Sequence, residues 1–122
     1  TPLMIVNEKL RAICQQMTEY KMLLSVTTSP RPRDFFDIWN LFYQNKVMHD
    51  EFYVEQNIEN LKKVFELKKV PFEFIDNIKN TKEYHETDIK ALEDTVNADF
   101  FKNDFNLYFE FVVDLVEKIK NL

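Results

Sequence analysis

The chain has 122 residues with a formal net charge of −5, and it contains 12 Phe but no Gly. Glycine adopts positive φ at low cost, and two-residue β-hairpins depend on such residues. The composition therefore disfavours a sheet-rich fold and excludes glycine-dependent phosphate loops and nucleophile elbows. A chain of this length and apolar content predicts a single all-α domain over residues 1–122.

The charge is divided unevenly along the chain. Residues 1–33 hold five Lys and Arg against two Glu, a net +3, whereas the remaining residues hold eleven against nineteen, a net −8. The overall negative charge argues against a surface devoted to nucleic acid, but a basic patch near the start could bind phosphates. The sequence shows no membrane-length apolar run and no signal peptide, and its only cysteine, Cys14, suits a reducing compartment, so we expect a cytoplasmic protein.

The first predicted helix begins with Thr1 as N-cap and Pro2 at the first helical position. Apolar residues then recur at steps of three and four from Leu3 to Leu24, which predicts one helix of about six turns. Prolines at positions 30 and 32 end this pattern, and a second helix is predicted to start near Pro32.

Further apolar patterns follow along the chain. A restart near Asp50 precedes a stripe from Val54 to Phe65. Pro71 either ends that helix or begins a short fourth one through Ile78. Residues 79–97 carry only a weak helical signal, and the clearest pattern runs from position 101 to position 119. Together these predict an irregular bundle of five to six helices.

Several reactive residue types show no functional pattern. His49 and His85 lie far apart and outside any zinc-binding motif, so no zinc site is predicted. Cys14 follows the apolar Ile13 and is interpreted as a small buried or half-buried residue. The stretch Tyr84-His85-Glu86 lies in a polar region and is interpreted as solvated surface.

Two short segments offer charged groups that could share a site. Lys9 lies on the flank of the first apolar stripe, while Asp34 and Asp37 are three residues apart and share one face of the second helix. A hairpin of these two helices could bring Lys9, an anion-binding candidate, to Asp34, a carboxylate for a metal or a proton. The alternative is ordinary helix-start chemistry, with Arg33 and Asp37 as a surface pair of about 0.3–0.5 kcal/mol.

The order of these segments resembles the second half of the AbiEii/AbiGii-type nucleotidyltransferase toxins. That family carries an EKLxA helix followed by an R-x-[RK]-D-[LFI]-[YF]-D-[LI] helix, and this chain has Glu-Lys-Leu-Arg-Ala at 8–12 and Arg-Pro-Arg-Asp-Phe-Phe-Asp-Ile-Trp at 31–39. The specific match covers roughly residues 2–44, with Phe36 where tyrosine is commoner. Beyond it, only helix order and apolar pattern are similar.

The resemblance implies a bacterial toxin–antitoxin or abortive-infection enzyme that transfers a nucleotide from an NTP with the help of Mg²⁺. Some members of the family modify the acceptor end of tRNA and are paired with a cognate antitoxin. The implied catalytic residues are Lys9, which contacts the triphosphate, and Asp34, which completes the site. Supporting or substrate-binding positions are Glu8, Arg33 and Asp37, and no metal ligand is assigned within this chain.

The family's N-terminal half carries a Gly-Ser motif and metal-binding aspartates, which a glycine-free sequence cannot contain. The expectation is therefore a C-terminal helical domain of a longer two-domain protein, inactive alone because its partner domain holds the metal-binding carboxylates. The Thr at position 1 agrees weakly with that expectation. The alternatives are a non-catalytic helical interaction module, with an exposed Phe-rich groove, and a structural domain of another enzyme.

Overall fold

A computed structural model describes residues 1–90 and 105–122 of the chain. These residues form helices and no strand, so the all-α prediction is confirmed for them. Two 3₁₀ helices span Phe72–Asn80 and Lys118–Asn121. The α-helices of the described stretches are α1 (Pro2–Cys14), α2 (Thr18–Leu24), α3 (Pro32–Gln44), α4 (Met48–Phe52), α5 (Glu55–Leu67), α6 (Lys82–Glu86) and α7 (Phe105–Glu117).

The first predicted helix starts as expected but is not continuous. The Thr1 hydroxyl accepts the backbone N–H of Met4 and caps α1. After α1 the backbone of Met17 turns to an extended conformation, and α2 begins one residue later. The break keeps Met17 and Tyr20 in the core, at 3% and 5% exposure, although it ends the regular helix. Periodicity located the buried side chains from Val6 to Tyr20 correctly, but it could not reveal the change in backbone direction. Leu24, at the end of the predicted stripe, is 42% exposed.

The second predicted helix begins at Pro32 as expected. The third predicted helix, which was expected to restart near Asp50, corresponds to two helices, α4 and α5. Val54 has an extended backbone between α4 and α5 and is 55% exposed, so it does not belong to the buried stripe. The segment after Pro71 is helical, but in the tighter 3₁₀ form. Part of the weak signal over 79–97 and the first residues of the last stripe, including position 101, lie outside the described residues.

Aromatic packing joins α3 to α7 at the centre of the domain. The fully buried Phe35 ring lies 5.4 Å from Phe105 and 5.3 Å from Phe109, measured between ring centroids. Helix α1 packs against α3 and α5, and its Leu10 and Ile13 side chains are fully buried. This arrangement places the flank of α1 beside the first turns of α3.

No helix in the described parts of the chain combines the length and the apolar character that a membrane crossing requires. The core contains the Cys14 side chain, which is wholly buried, so the structure selects the first of the two expectations for this residue.

Candidate functional site

Lys9 reaches the candidate site because of its position on α1. Its neighbours Val6, Leu10 and Ile13 are fully buried and fix which side of α1 faces the core. Lys9 lies beside that face, and its side chain is 25% exposed. The ammonium group is therefore anchored at the edge of the core instead of extending freely into solvent.

The first turns of α3 supply two carboxylates to this ammonium. Lys9 Nζ lies 3.2 Å from Oδ1 of Asp34 and 3.0 Å from Oδ2 of Asp37. The Asp34 side chain is 5% exposed and the Asp37 side chain is 24% exposed. The predicted approach of Lys9 to Asp34 is therefore confirmed, and the shared face of Asp34 and Asp37 points at one cation.

Two arginines complete the charge cluster, which we define as Lys9, Arg31, Arg33, Asp34 and Asp37. The Arg31 Nε–H donates to Asp34 Oδ2, and Arg33 Nε lies 3.7 Å from Asp37 Oδ2. Asp34 thus accepts from Lys9 on one oxygen and from Arg31 on the other. With three cations and two carboxylates, the charge cluster has a formal charge of +1.

The carboxylates keep the Lys9 side chain in its charged form. Burial by itself lowers the pKa of the Lys9 ammonium, but Asp34 and Asp37 outweigh burial and raise the pKa above its usual 10.5. At neutral pH this lysine is therefore a fixed positive charge. An ammonium has three N–H donors, so the two carboxylates leave one donor for a ligand.

An open groove of about 480 Å³ lies beside the charge cluster and is lined by Lys9 and Arg31. Glu8 lines the same groove but pairs with Arg11 instead of joining the charge cluster. Met4 and Ile5 contribute an apolar surface to the groove. The groove is large enough for a small organic anion and places cations beside an apolar wall.

The charge cluster does not fit a magnesium ion. The described residues contain no group of three or more His, Cys, Asp or Glu that could hold a metal. The carboxylates of Asp34 and Asp37 are already bound by Lys9, Arg31 and Arg33. A divalent cation would have to displace these protein cations, so we assign no metal ligand among the described residues.

His85 is a residue that the sequence interpretation placed wrongly. Instead of lying on a solvated surface it is 1% exposed, and its Nδ1 accepts the backbone N–H of Arg31 at 2.9 Å. Its ring packs on Phe35, with 5.0 Å between the centroids. Since 54 residues separate His85 from Arg31, no local pattern could reveal the contact. Arg31 was also missed, although its spacing of three from Asp34 was a readable signal.

The chain matches no protein-family model, no curated protein and no solved structure.

Proposed function

We propose that this chain forms the helical half of a nucleotidyltransferase active site, in which Lys9 binds the triphosphate of an NTP. The observation that carries the proposal is the contact of Lys9 with both Asp34 and Asp37 at the edge of an open groove. The motif resemblance implies roles for the same lysine and the same aspartate. The role in a toxin–antitoxin or abortive-infection system follows from that resemblance.

The geometry suits Lys9 to phosphate binding for two reasons. Its raised pKa keeps the ammonium charged, and its salt bridges hold the flexible side chain in one direction before a ligand arrives. The nearby Arg33 side chain is 61% exposed, so it can turn toward a polyphosphate at low cost, whereas Arg31 adds positive charge while it stays bonded to Asp34. The net positive charge of the cluster favours such an anion.

The burial of the site argues against a merely incidental surface pair. Exposed ion pairs are typically worth about 0–1 kcal/mol and are often isolated. Here Asp34 is almost completely buried and accepts from two cations on different elements. A buried carboxylate held in this way is expensive to build and is well placed to orient a functional lysine.

In this proposal, an N-terminal nucleotidyltransferase domain supplies the carboxylates that bind Mg²⁺, because the described residues here do not. Bound Mg²⁺ would neutralise charge on the transferred phosphoryl group. Lys9 would hold the triphosphate, and Asp34 would hold Lys9 in position. The acceptor that we propose from the resemblance is tRNA, and a cognate antitoxin is the proposed partner.

The first experiment measures NTP binding to the 122-residue chain by NMR. We expect ATP, CTP, GTP or UTP to shift the signals of Lys9 and its neighbours, and Lys9→Met to abolish that response. The matched control is Lys63→Met, because Lys63 is exposed and forms no ion pair with any other described residue. The absence of any response around Lys9 at millimolar NTP would contradict triphosphate binding.

A second experiment tests the composite nature of the site. The isolated chain is incubated with labelled NTP, Mg²⁺ and tRNA, and we expect no incorporation of label. Incorporation that disappears in Lys9→Met would show that this chain is catalytic alone. That result would overturn the requirement for a second domain while retaining the role of Lys9.

A helical protein-interaction module is the second candidate function, and one observation favours it. At the end of α2, Met22 is 79% exposed and Leu23 is 59% exposed. None of the described Phe side chains is exposed, so this candidate depends on α2 instead of the expected Phe-rich groove. If it is correct, Met22→Lys with Leu23→Lys abolishes co-purification with the module's protein partner, while Lys9→Met has no effect.

A further inference from the structure

We infer that His85 is a positioning residue for the Lys9–Asp34 contact and that it acts through the backbone and side chain of Arg31. The inference concerns geometry, and its importance for nucleotide transfer rests on the proposed function. His85 comes from α6, which lies far along the chain from both motif segments. It is therefore a third element of the site that neither motif contains.

The route from His85 to Lys9 consists of three consecutive hydrogen bonds. His85 Nδ1 accepts the backbone N–H of Arg31 at 2.9 Å. The Arg31 side chain donates to Asp34, and Asp34 accepts from Lys9 Nζ at 3.2 Å. Within the route, Arg31 and Asp34 each connect the residue before them to the residue after them, so a displacement of Arg31 changes the support of the Asp34 carboxylate.

The start of α3 explains why this support is needed. Arg31 occupies the N-cap position with φ −134° and ψ 56°, and no side chain caps the helix. The residue after it, Pro32, has no N–H to donate. The Arg31 N–H donates to His85, and the Arg31 carbonyl accepts from the N–H of Asp34 at 3.1 Å. His85 fixes one side of the turn whose other side carries the site carboxylate.

The contact also specifies the protonation state of the imidazole. Nδ1 accepts a hydrogen bond, so His85 is neutral and carries its proton on Nε2. Packing on Phe35 and the 5.3 Å centroid separation from Tyr84 hold the ring in this orientation. The role thus requires an acceptor atom at Nδ1 and does not require a titrating group.

Two substitutions separate the acceptor from the bulk of the ring. His85→Asn places an amide oxygen close to the position of Nδ1, whereas His85→Leu fills the space without an acceptor. Hydrogen exchange of the Arg31 amide reports the first contact, and the ¹⁵Nζ and ¹³Cε signals of Lys9 report the last one. Val64→Ala is the destabilised control, because Val64 is a buried residue of α5, an element that supplies no member of the route.

We expect His85→Leu to accelerate exchange of the Arg31 amide, to move the Lys9 signals toward those of Asp34→Asn, and to weaken NTP binding by about tenfold. His85→Asn should retain most of the wild-type behaviour in all three measurements. Val64→Ala should lower stability without changing the Arg31 exchange, the Lys9 signals or NTP binding in the folded protein. If His85→Leu frees the Arg31 amide but leaves the Lys9 signals unchanged, the positioning role is wrong. The same conclusion follows if His85→Asn is folded but its Lys9 signals resemble those of His85→Leu instead of the wild type.

Failure of the proposed function gives a different pattern. If the wild-type chain binds no NTP while the Lys9 signals still respond to His85→Leu and recover in His85→Asn, the geometric inference stands without the nucleotide. If NTP binds through Lys9 but the Lys9 signals ignore His85, only the inference is overturned. The two ideas can therefore be rejected separately.

Discussion

Lys9 and Asp34 lie 25 positions apart in the sequence, yet their Nζ and Oδ1 atoms are 3.2 Å apart. This contact links the flank of α1 to the first turn of α3, so that the site and the packing of two core helices share the same residues. Because Asp34 also accepts from Arg31, removing one partner leaves the carboxylate with the other. The energetic consequences can be measured independently of any activity.

A double-mutant cycle measures the coupling between Lys9 and Asp34. We expect Lys9→Met to lower the free energy of unfolding by about 1–2 kcal/mol, because it leaves a buried carboxylate with one cation fewer. The coupling energy with Asp34→Asn should be about 1 kcal/mol in urea unfolding. Arg33→Gln is the control, and its effect should stay below about 0.5 kcal/mol because Arg33 is 61% exposed. Additive effects of Lys9→Met and Asp34→Asn would contradict a coupled contact.

Chemical labelling tests the raised pKa of Lys9. Only the neutral form of an amine reacts with an acylating reagent. Asp34 and Asp37 stabilise the charged form of the Lys9 side chain. At pH 8.5 we expect Lys9 to react more slowly than the exposed Lys63, as measured by mass spectrometry of timed digests. Asp37→Asn should accelerate labelling of Lys9 and leave Lys63 unchanged. Equal rates for the two lysines in the wild-type protein would show that the carboxylates do not hold the ammonium.

The sequence predicted the parts of the site that depend on helical periodicity. Lys9 on the flank of one stripe, and Asp34 with Asp37 on one face of the next helix, follow from spacings of three and four residues. Those spacings are local, so they assign each side chain to a face of its own helix. The approach of Lys9 to Asp34 also depends on the break between α1 and α2, because one continuous helix to Leu24 would carry Lys9 about 22 Å along the axis from the proline turn.

Features that depend on distant contacts were not predictable in the same way. His85 lies in a polar stretch, and its burial depends on the packing of its ring against Phe35. The break between α1 and α2 leaves the apolar spacing at Met17 and Tyr20 intact, so periodicity alone predicted a continuous helix. In both cases tertiary packing overrides a local signal.

The pKa of His85 predicts a specific dependence of stability on pH. Burial lowers this pKa from 6.5 to about 4, with Asp34 acting to raise it and Arg31 acting to lower it further. Among the described groups Tyr84 also contacts the ring. Between about pH 6.5 and 4 the unfolded chain binds the proton and the folded chain does not, so stability falls as the pH falls. The free energy of unfolding decreases by about 3 kcal/mol at most over this interval.

The variant His85→Asn isolates this contribution, because asparagine does not titrate. We expect the free energy of unfolding of the wild-type protein to fall more steeply between pH 6.5 and 4 than that of His85→Asn. Below pH 4 the two curves should run parallel, since His85 is then protonated in both states. Identical slopes above pH 4 would show that the folded-state pKa of His85 is close to its ordinary value.

Cys14 provides an intrinsic probe of opening in the core. Its side chain is completely buried, at 0% exposure. Burial, together with the negative charges of Asp76 and Glu19, raises the pKa of its thiol. Because the thiolate is the reactive form, we expect no reaction with an aromatic disulfide reagent at pH 8 until the protein unfolds. The labelling rate should then rise with urea in parallel with the unfolding rate or with the population of the unfolded state. Cys14→Ser supplies the blank for reagent decomposition. A rapid reaction that is independent of urea would instead indicate local opening at the α1–α2 break, which begins directly after Cys14.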